Sequence, residues 1–329
     1  MSPLSPHQSS SADTAVKPHW IQQRFPWLYA FWKFCRPHTI IGTSLSAIGL
    51  GLLAWAQQTE MAFGTLETGL AFVGTVLPPL FTCLCGNVYI VGLNQIEDVA
   101  IDQVNKPHLP LASGEFSRQQ AWAIVILTGG LALMLSLLQG WFLVATVWSS
   151  VLIGTAYSLK PIRLKRFPLW AALCIFSVRG AIVNLGLFLH FNQQFGGVSV
   201  IPASVWALTL FILVFTFAIA ILKDIPDLEG DKRYHITTFT IRLGASAVFK
   251  LARWVLTVCY LGMMAASFAI PNINLPLLVG THLLILILLW WRSLKVDLRN
   301  KAEIARFYQF VWKLFFLEYL LFPAVCLVS

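Results

Sequence analysis

The chain has 329 residues, of which 57% are hydrophobic and only 11% are charged. A soluble domain usually has about a quarter charged residues, so this composition excludes an ordinary water-soluble fold. The net charge of +9 does not indicate nucleic-acid binding, because the basic residues lie in short clusters between apolar runs and do not form one basic, aromatic-rich surface.

The N-terminal segment differs from the rest of the chain. It is rich in Ser and Pro and has no apolar run. It also lacks the Arg-rich amphipathic pattern of a transit peptide. We therefore interpret residues 1–24 as a disordered tail and predict one intramembrane domain over residues 25–329.

The remaining sequence contains apolar stretches of about 18 residues or more, which is long enough to cross a bilayer. Backbone exposed to lipid must satisfy its hydrogen bonds in helices or in a closed barrel, and the alternating pattern of a barrel is absent. The sequence therefore predicts an all-α integral membrane protein with a single bundle of transmembrane helices. The nine predicted spans lie near 38–56, 68–91, 119–138, 141–157, 168–189, 201–222, 246–270, 274–291 and 307–328.

The basic residues predict how the bundle is oriented. Lys and Arg precede the first span and occur after the second, fourth, sixth and eighth spans. The loops after the first, third, fifth and seventh spans contain neither residue. Short cytoplasmic loops carry an excess of Lys and Arg. We therefore predict that the N-terminus and the even-numbered loops are cytoplasmic.

Two acidic segments follow the second and sixth spans. In the first, Asn94, Asp98 and Asp102 recur every four residues, so a helix places them on one face. The second has the same spacing between Asp227 and Asp231, with Asp224 one turn earlier. Such carboxylates repel one another without a counter-charge, and Mg²⁺ prefers oxygen ligands and often joins carboxylates to phosphates. The pattern favours two magnesium ions with a diphosphate between them over two solvated acidic loops.

Basic residues offer partners for such an anion. Lys160 and Arg163 lie close to the end of the fourth span, whereas we interpret Lys165 and Arg166 as orientation charges only. Arg179 lies within the fifth span, where a charge is costly unless it faces the interior with a carboxylate or a bound anion as partner. The histidines, including His38, lack metal-site spacing, and we interpret them as packing residues.

A divalent-cation transporter is the alternative from a different class. Transporters place their ion sites near the middle of the membrane, often on broken helices. The aspartates here fall at the ends of predicted spans, which favours an enzyme.

These motifs resemble the UbiA superfamily of intramembrane aromatic prenyltransferases. The segments 92–115 and 223–231, together with Arg36-Pro37-His38-Thr39 and Thr240-Ile241-Arg242-Leu243-Gly244, are similar to homogentisate phytyltransferases within it. The resemblance extends from about Phe25 to the end of the chain. It departs from the superfamily in the spacing of Tyr157 and Lys160. Two residues lie between them, whereas the superfamily often has three.

The resemblance implies a UbiA-like bundle with a cavity open to the side. It implies transfer of a phytyl or geranylgeranyl chain from its diphosphate to homogentisate, with loss of carbon dioxide, to give 2-methyl-6-phytyl-1,4-benzoquinol for tocopherol synthesis. Another aromatic acceptor of the superfamily is the nearest alternative. Membrane lipid surrounds the protein, in a thylakoid or plasma membrane of cyanobacterial type. The roles that the resemblance implies are magnesium binding by Asp98, Asp102, Asp227 and Asp231, assistance from Asn94, and contact of Arg36, Lys106 and Lys160 with the diphosphate or the acceptor carboxylate. From the residues themselves we add Asp224 as support for the metal ions, and Tyr157, Arg163 and Arg179 as substrate-binding residues.

Overall fold

The computed structural model describes residues 20–58, 65–234 and 236–328, and within these ranges its regular elements are all helices. Residues 1–19 of the predicted tail lie outside the described residues, and the tail's last five form a short helix, α1. The helices are α1 Trp20–Arg24, α2 Pro26–Phe34, α3 Pro37–Ala56, α4 Leu66–Glu97, α5 Val99–Asn105, α6 Pro110–Ser113, α7 Arg118–Leu137, α8 Trp141–Ser158, α9 Pro168–Phe176, α10 Val183–Gln194, α11 Ala203–Leu222, α12 Leu228–Arg233, α13 Phe239–Leu243, α14 Ala245–Ala266, α15 Leu275–Ser293 and α16 Lys301–Leu327.

Nine stretches of the described chain are long and apolar enough to cross a membrane. They are α3, α4, α7, α8, the pair α9–α10, α11, α14 with the 3₁₀ turn after it, α15 and α16, so the nine predicted spans and the all-α fold class are confirmed. Their interior is packed around α11, whose Phe211 and Phe215 contact the rings of Tyr260 and Phe315. The described chain is therefore that of a multi-pass membrane protein.

Close helix packing requires small residues at a few positions. At Gly49 of α3, an added Cβ would lie 2.6 Å from the backbone oxygen of Tyr319 on α16. That distance is below any normal contact, so only glycine allows these two helices to approach so closely. Small residues serve this purpose in membrane bundles, where backbones must come close for dispersion contacts to hold helices together.

The loops gather at two ends of the bundle. Loops after odd-numbered spans meet at one end, where the Gln58 side chain donates to Asn192 at 3.1 Å and Gln194 donates to the carbonyl of Gln139 at 3.4 Å. The short helices α2, α5, α6, α12 and α13 lie at the other end, with the loops after the even-numbered spans. The predicted acidic and basic segments therefore share one end of the protein.

The fifth span is not a regular helix. A π-helical segment, Ser177–Ile182, separates α9 from α10 and contains Arg179. Gly180 in this segment lies so close to α11 that an added Cβ would be 2.6 Å from the Cα of Leu213. Single π-turns inside α-helices often mark functional sites, because they change the direction of the side chains they contain.

Candidate active site

The two acidic segments face one cavity of about 600 Å³ at the shared end of the bundle. The first segment occupies the end of α4 and the start of α5, and the second follows α11 and enters α12. A hydrogen bond connects α5 and α12, since the backbone N–H of Gly230 donates to the side-chain oxygen of Asn105 at 2.9 Å. The cavity wall includes Asn94, Asp98, Asp102, Asp224, Asp227 and Asp231.

Basic side chains contact the carboxylates from three directions. Asp98 pairs with Arg163 at 3.0 Å and with Lys165 at 2.6 Å, and it also accepts a hydrogen bond from the Asn94 amide at 3.1 Å. Lys106 pairs with Asp227 across the gap between the two acidic segments. Each predicted acidic cluster therefore has cations beside it, as a site for a polyanion and its metal ions requires.

Other contacts of the acidic clusters are looser. Lys223 lies 3.7 Å from Asp224, and Arg36 lies 4.0 Å from Asp102, at the limit of an ion pair. Burial raises the pKa of Asp102, and it raises the pKa of Asp224 to about 6, with Asp227 adding to that shift. Burial, Asp227 and Asp224 raise the pKa of Asp231 to about 7. Nearby cations, Lys106 among them, oppose these shifts and offset only part of the effect of burial on the pKa of each carboxyl.

The oxygen atoms of these carboxylates are suitable ligands for a hard cation, but their positions do not form a complete coordination site. Among the described residues, no three His, Cys, Asp or Glu side chains converge on one point that could hold an ion. However, Oδ2 of Asp102 is buried without a hydrogen-bond partner in the described chain, as is Nε of Arg36. Buried polar atoms normally have partners, so these two indicate a missing cation and a missing anion. Mg²⁺ fits, because it keeps waters and uses one or two carboxylates with phosphate oxygens.

Backbone strain coincides with two of the basic residues. Arg36 has a φ of 52° and Arg163 a φ of 41°, both in the left-handed region that non-glycine residues rarely adopt. Such conformations cost about 1–3 kcal/mol each and persist where the surrounding structure enforces them, often at functional sites. Here each strained arginine directs its guanidinium toward an aspartate of the cavity.

Lys165 lines the cavity where the sequence analysis placed Lys160. Lys160 is exposed and is not part of the wall of either cavity described here, so its expected approach to the site is not seen. Lys165 is 7% exposed and paired with Asp98, which corrects its interpretation as an orientation charge. Burial lowers the pKa of Lys165, and the Asp98 carboxylate opposes that shift. The 3₁₀ turn over Leu164–Arg166 turns Lys165 inward, a local fold that the charge pattern does not reveal.

A second, narrower cavity of about 280 Å³ continues from the first into the bundle. The two share wall residues, among them Arg36, His38, Asn94 and Tyr157. Along α4 the wall runs from Asn94 to Cys83, which is about 16 Å at 1.5 Å per residue. The inner cavity is thus deep enough to take most of an extended hydrocarbon chain.

The inner wall is more apolar than its residue types suggest. The hydroxyls of Ser46, Thr146 and Ser150 each donate to the carbonyl one turn earlier on their own helix, at 2.6–2.8 Å. Their methylene and methyl groups therefore form the exposed surface. Three cations also line this cavity, Arg36, Lys223 and Arg179. Arg36 and Lys223 have aspartate partners, whereas no carboxylate in the described part of the chain lies within ion-pair distance of Arg179.

Aromatic rings support the Arg179 guanidinium. Its central carbon lies 5.2 Å from the ring centre of Trp312 and 5.7 Å from that of Phe315, both on α16. Cation–π contacts of this kind partly offset the cost of burying a cation. They leave the hydrogen-bond donors of Arg179 available to an anion in the cavity.

Comparison with known proteins places this geometry in a family. The sequence matches the UbiA prenyltransferase family over residues 44–314. It is 52% identical to homogentisate phytyltransferase of Synechocystis sp., an alignment covering 90% of this chain and 95% of that protein. It is 40% identical to homogentisate phytyltransferase 1 of Arabidopsis thaliana, over 90% of this chain and 75% of that one.

The fold agrees with a solved structure as well. A UbiA homologue from Archaeoglobus fulgidus, described as bound to GPP and Mg²⁺, superposes with a TM-score of 0.61 over 91% of this chain and 100% of that one. At 16% identity this likeness concerns the fold alone. Together with the match over most of the sequence, it shows that the chain belongs to the UbiA prenyltransferase family.

Proposed function

We propose that this prenyltransferase moves a phytyl or related chain from its diphosphate to homogentisate and releases carbon dioxide. The observation that carries the proposal is the pair of joined cavities. One is lined by carboxylates and cations, as a metal-bound diphosphate needs, and the other is apolar with one unpaired arginine, as a prenyl chain and an acidic aromatic need. The names of the two relatives support homogentisate as the acceptor.

The acidic cavity would hold two Mg²⁺ ions, with Asp98 and Asp102 on one side and Asp227 and Asp231 on the other. Asn94 and Asp224 would support them. When bound, such ions neutralise the diphosphate and stabilise it as it leaves. The description of the Archaeoglobus fulgidus homologue as a complex with GPP and Mg²⁺ is consistent with this assignment.

The basic residues would change partners when substrate binds. Lys106, Arg163 and Lys165 pair with aspartates in the structure, and Mg²⁺ would release them to contact phosphate oxygens. Arg36 and Tyr157 line both cavities, so they would lie near the carbon that is transferred if the diphosphate occupies one cavity and the prenyl chain the other. Preorganised donors around a developing charge are a large source of rate enhancement.

The transfer itself requires few protein groups. The C–O bond to diphosphate breaks with its electron pair on oxygen, and an unsubstituted ring carbon of homogentisate forms the new C–C bond. That carbon loses its proton, the side-chain carboxylate leaves as carbon dioxide, and the remaining methylene gains a proton to become the methyl group. The dry inner cavity protects the allylic cation from water.

A panel of acceptors and donors tests the proposal. Purified protein in detergent with Mg²⁺ should release diphosphate and form the prenylated methylquinol from homogentisate, faster than from hydroxybenzoate or dihydroxynaphthoate. Phytyl and geranylgeranyl diphosphate should be compared as donors. Preference for another acceptor would contradict the proposal, and Mg²⁺ uptake into liposomes without product would favour the transporter alternative.

The orientation of the bundle gives a separate prediction. We propose a thylakoid or plasma membrane location with the cavity entrance cytoplasmic. In a variant without native cysteines, single cysteines at positions 57, 139, 194 and 272 should react with an impermeant thiol reagent only from the side opposite the loops of Asp98 and Asp227. Reaction of any of them from the cytoplasmic side would contradict the predicted topology.

Lys165 and Lys160 form a matched pair for a second prediction. Lys165→Met should raise the KM for prenyl diphosphate and lower kcat, because a buried cation beside the anion is lost, and we expect a total loss of roughly 10²-fold in kcat/KM. Lys160→Met, which removes an exposed lysine five residues away, should stay close to wild type. Steady-state kinetics with varied prenyl diphosphate measures both. Equal losses would contradict the assignment of Lys165.

A further inference from the structure

One histidine in the joined cavities has no function in the account above. His38 lies in the first turn of α3, two residues after the strained Arg36, and it lines the wall shared by the two cavities. Among the described residues, no group donates to or accepts from its ring nitrogens, and neither nitrogen is shut off from the cavity. A neutral imidazole has one nitrogen that can accept a proton.

The position of His38 relative to Arg179 would place the imidazole near an acceptor that binds Arg179. The His38 ring centre lies 4.9 Å from the Trp312 ring, and the Arg179 guanidinium lies 5.2 Å from the same ring. Both side chains thus contact the same indole, and all three residues line the inner cavity. An aromatic acid that binds Arg179 through its carboxylate would have its ring near His38, which lines both the inner cavity and the aspartate-lined cavity.

We propose that His38 is a catalytic base, which takes the proton from the ring carbon that is alkylated. This inference rests on the proposed function. As the C–C bond forms, diphosphate leaves with the electrons of the C–O bond, and the ring becomes a cation. The C–H electrons then restore the aromatic ring, and the proton moves to the free imidazole nitrogen. The histidine becomes an imidazolium beside the departing diphosphate, whose charge stabilises it.

The neighbours of His38 agree with this role. Arg36 and Arg179 line the same inner cavity as His38, so two cations lie on the wall that holds the imidazole. Once the diphosphate and the acceptor carboxylate have bound, those charges are compensated. A weak base is sufficient, because an alkylated ring cation is a very strong acid. Among the described residues, the carboxylates line only the larger cavity, and none lines the inner cavity, whose wall includes Trp312.

The experiment compares wild type with His38→Gln and His38→Ala, with each substrate varied in turn while the other is saturating. General-base removal typically costs 10²- to 10⁴-fold, so kcat should fall by roughly 10²-fold or more while the KM for prenyl diphosphate changes little. Added imidazole should restore part of the activity of His38→Ala. An acceptor deuterated on the ring should show a primary isotope effect in His38→Gln that wild type lacks, because proton removal becomes rate-limiting.

His190→Gln provides the control for loss of a buried histidine, since His190 is 2% exposed and lines neither cavity. It should retain wild-type kcat. A His38→Gln enzyme with unchanged kcat would overturn the proposal. So would a slow variant without imidazole rescue or an isotope effect, which would make His38 a packing partner of Trp312. If wild type itself does not prenylate homogentisate, the proposed function fails, whatever the histidine variants do.

Discussion

Asp98→Asn and Asp227→Asn are each expected to lower kcat by roughly 10³-fold, because either change removes charge from a site that two metal ions and a diphosphate occupy together. The double variant should be scarcely slower than the slower single one, since residues that act as a unit show strongly non-additive effects. Product formation under saturating Mg²⁺ measures all three. Asparagine keeps the shape of each side chain, so packing is little changed.

Two neighbouring acids serve as matched controls. Glu97 directly precedes Asp98, and Glu229 follows Asp227 by two residues, yet neither lines the cavities. Glu97→Gln and Glu229→Gln should therefore keep near wild-type rates. Thermal unfolding of each aspartate variant shows whether unpaired Lys106 or Lys165 destabilises the protein. Independent losses that multiply in the double variant would mean that the two aspartates serve separate functions.

The nine spans were predictable because they depend on a property of the sequence alone. Lipid forces every exposed backbone group into a helix, so length and hydropathy determine which segments cross. The approach of the two acidic segments was predictable for a similar reason. Both follow even-numbered spans, and alternate crossings bring those loops to the same side.

The directions of individual side chains were not predictable in this way. Lys160 and Lys165 look alike in a charge pattern, and only the 3₁₀ turn over Leu164–Arg166 directs one inward. The sequence around His38 does not indicate a function, because the residues near it in space, Trp312 and Arg179, belong to the ninth and fifth spans. Such contacts depend on how helices pack in space, which no local pattern contains.

Arg179 was recognised as a buried charge, but its partner was left open between a carboxylate and a bound anion. The structure narrows the choice, because two aromatic rings and no acidic side chain contact its guanidinium in the described chain. Arg36, the other candidate for the acceptor carboxylate, lies 4.0 Å from Asp102 on the diphosphate side. We therefore expect Arg179 to contact the acceptor and Arg36 to contact the diphosphate.

Arg179→Met should lower kcat/KM for homogentisate by roughly 30-fold or more. Truncating one partner of a buried, hydrogen-bonded charge pair costs about 2–5 kcal/mol, and each 1.4 kcal/mol is a factor of ten. Arg179→Lys should lose about tenfold, because lysine cannot form the bidentate contact that a guanidinium makes with a carboxylate. The KM for prenyl diphosphate should change much less. Kinetics with each substrate varied in turn measures these effects.

The control for Arg179 is Arg253→Met. Arg253 also lies within a span and stacks on a tryptophan, with its guanidinium carbon 4.4 Å from the ring centre of Trp290, but it lines neither cavity. A second measurement compares homogentisate with methylhydroquinone, an acceptor that has no carboxylate. Wild type should prefer homogentisate over it, and Arg179→Met should lose most of that preference, since only the arginine distinguishes them. An undiminished preference in Arg179→Met would assign the carboxylate to another residue, and equal losses for both substrates would place Arg179 on the diphosphate.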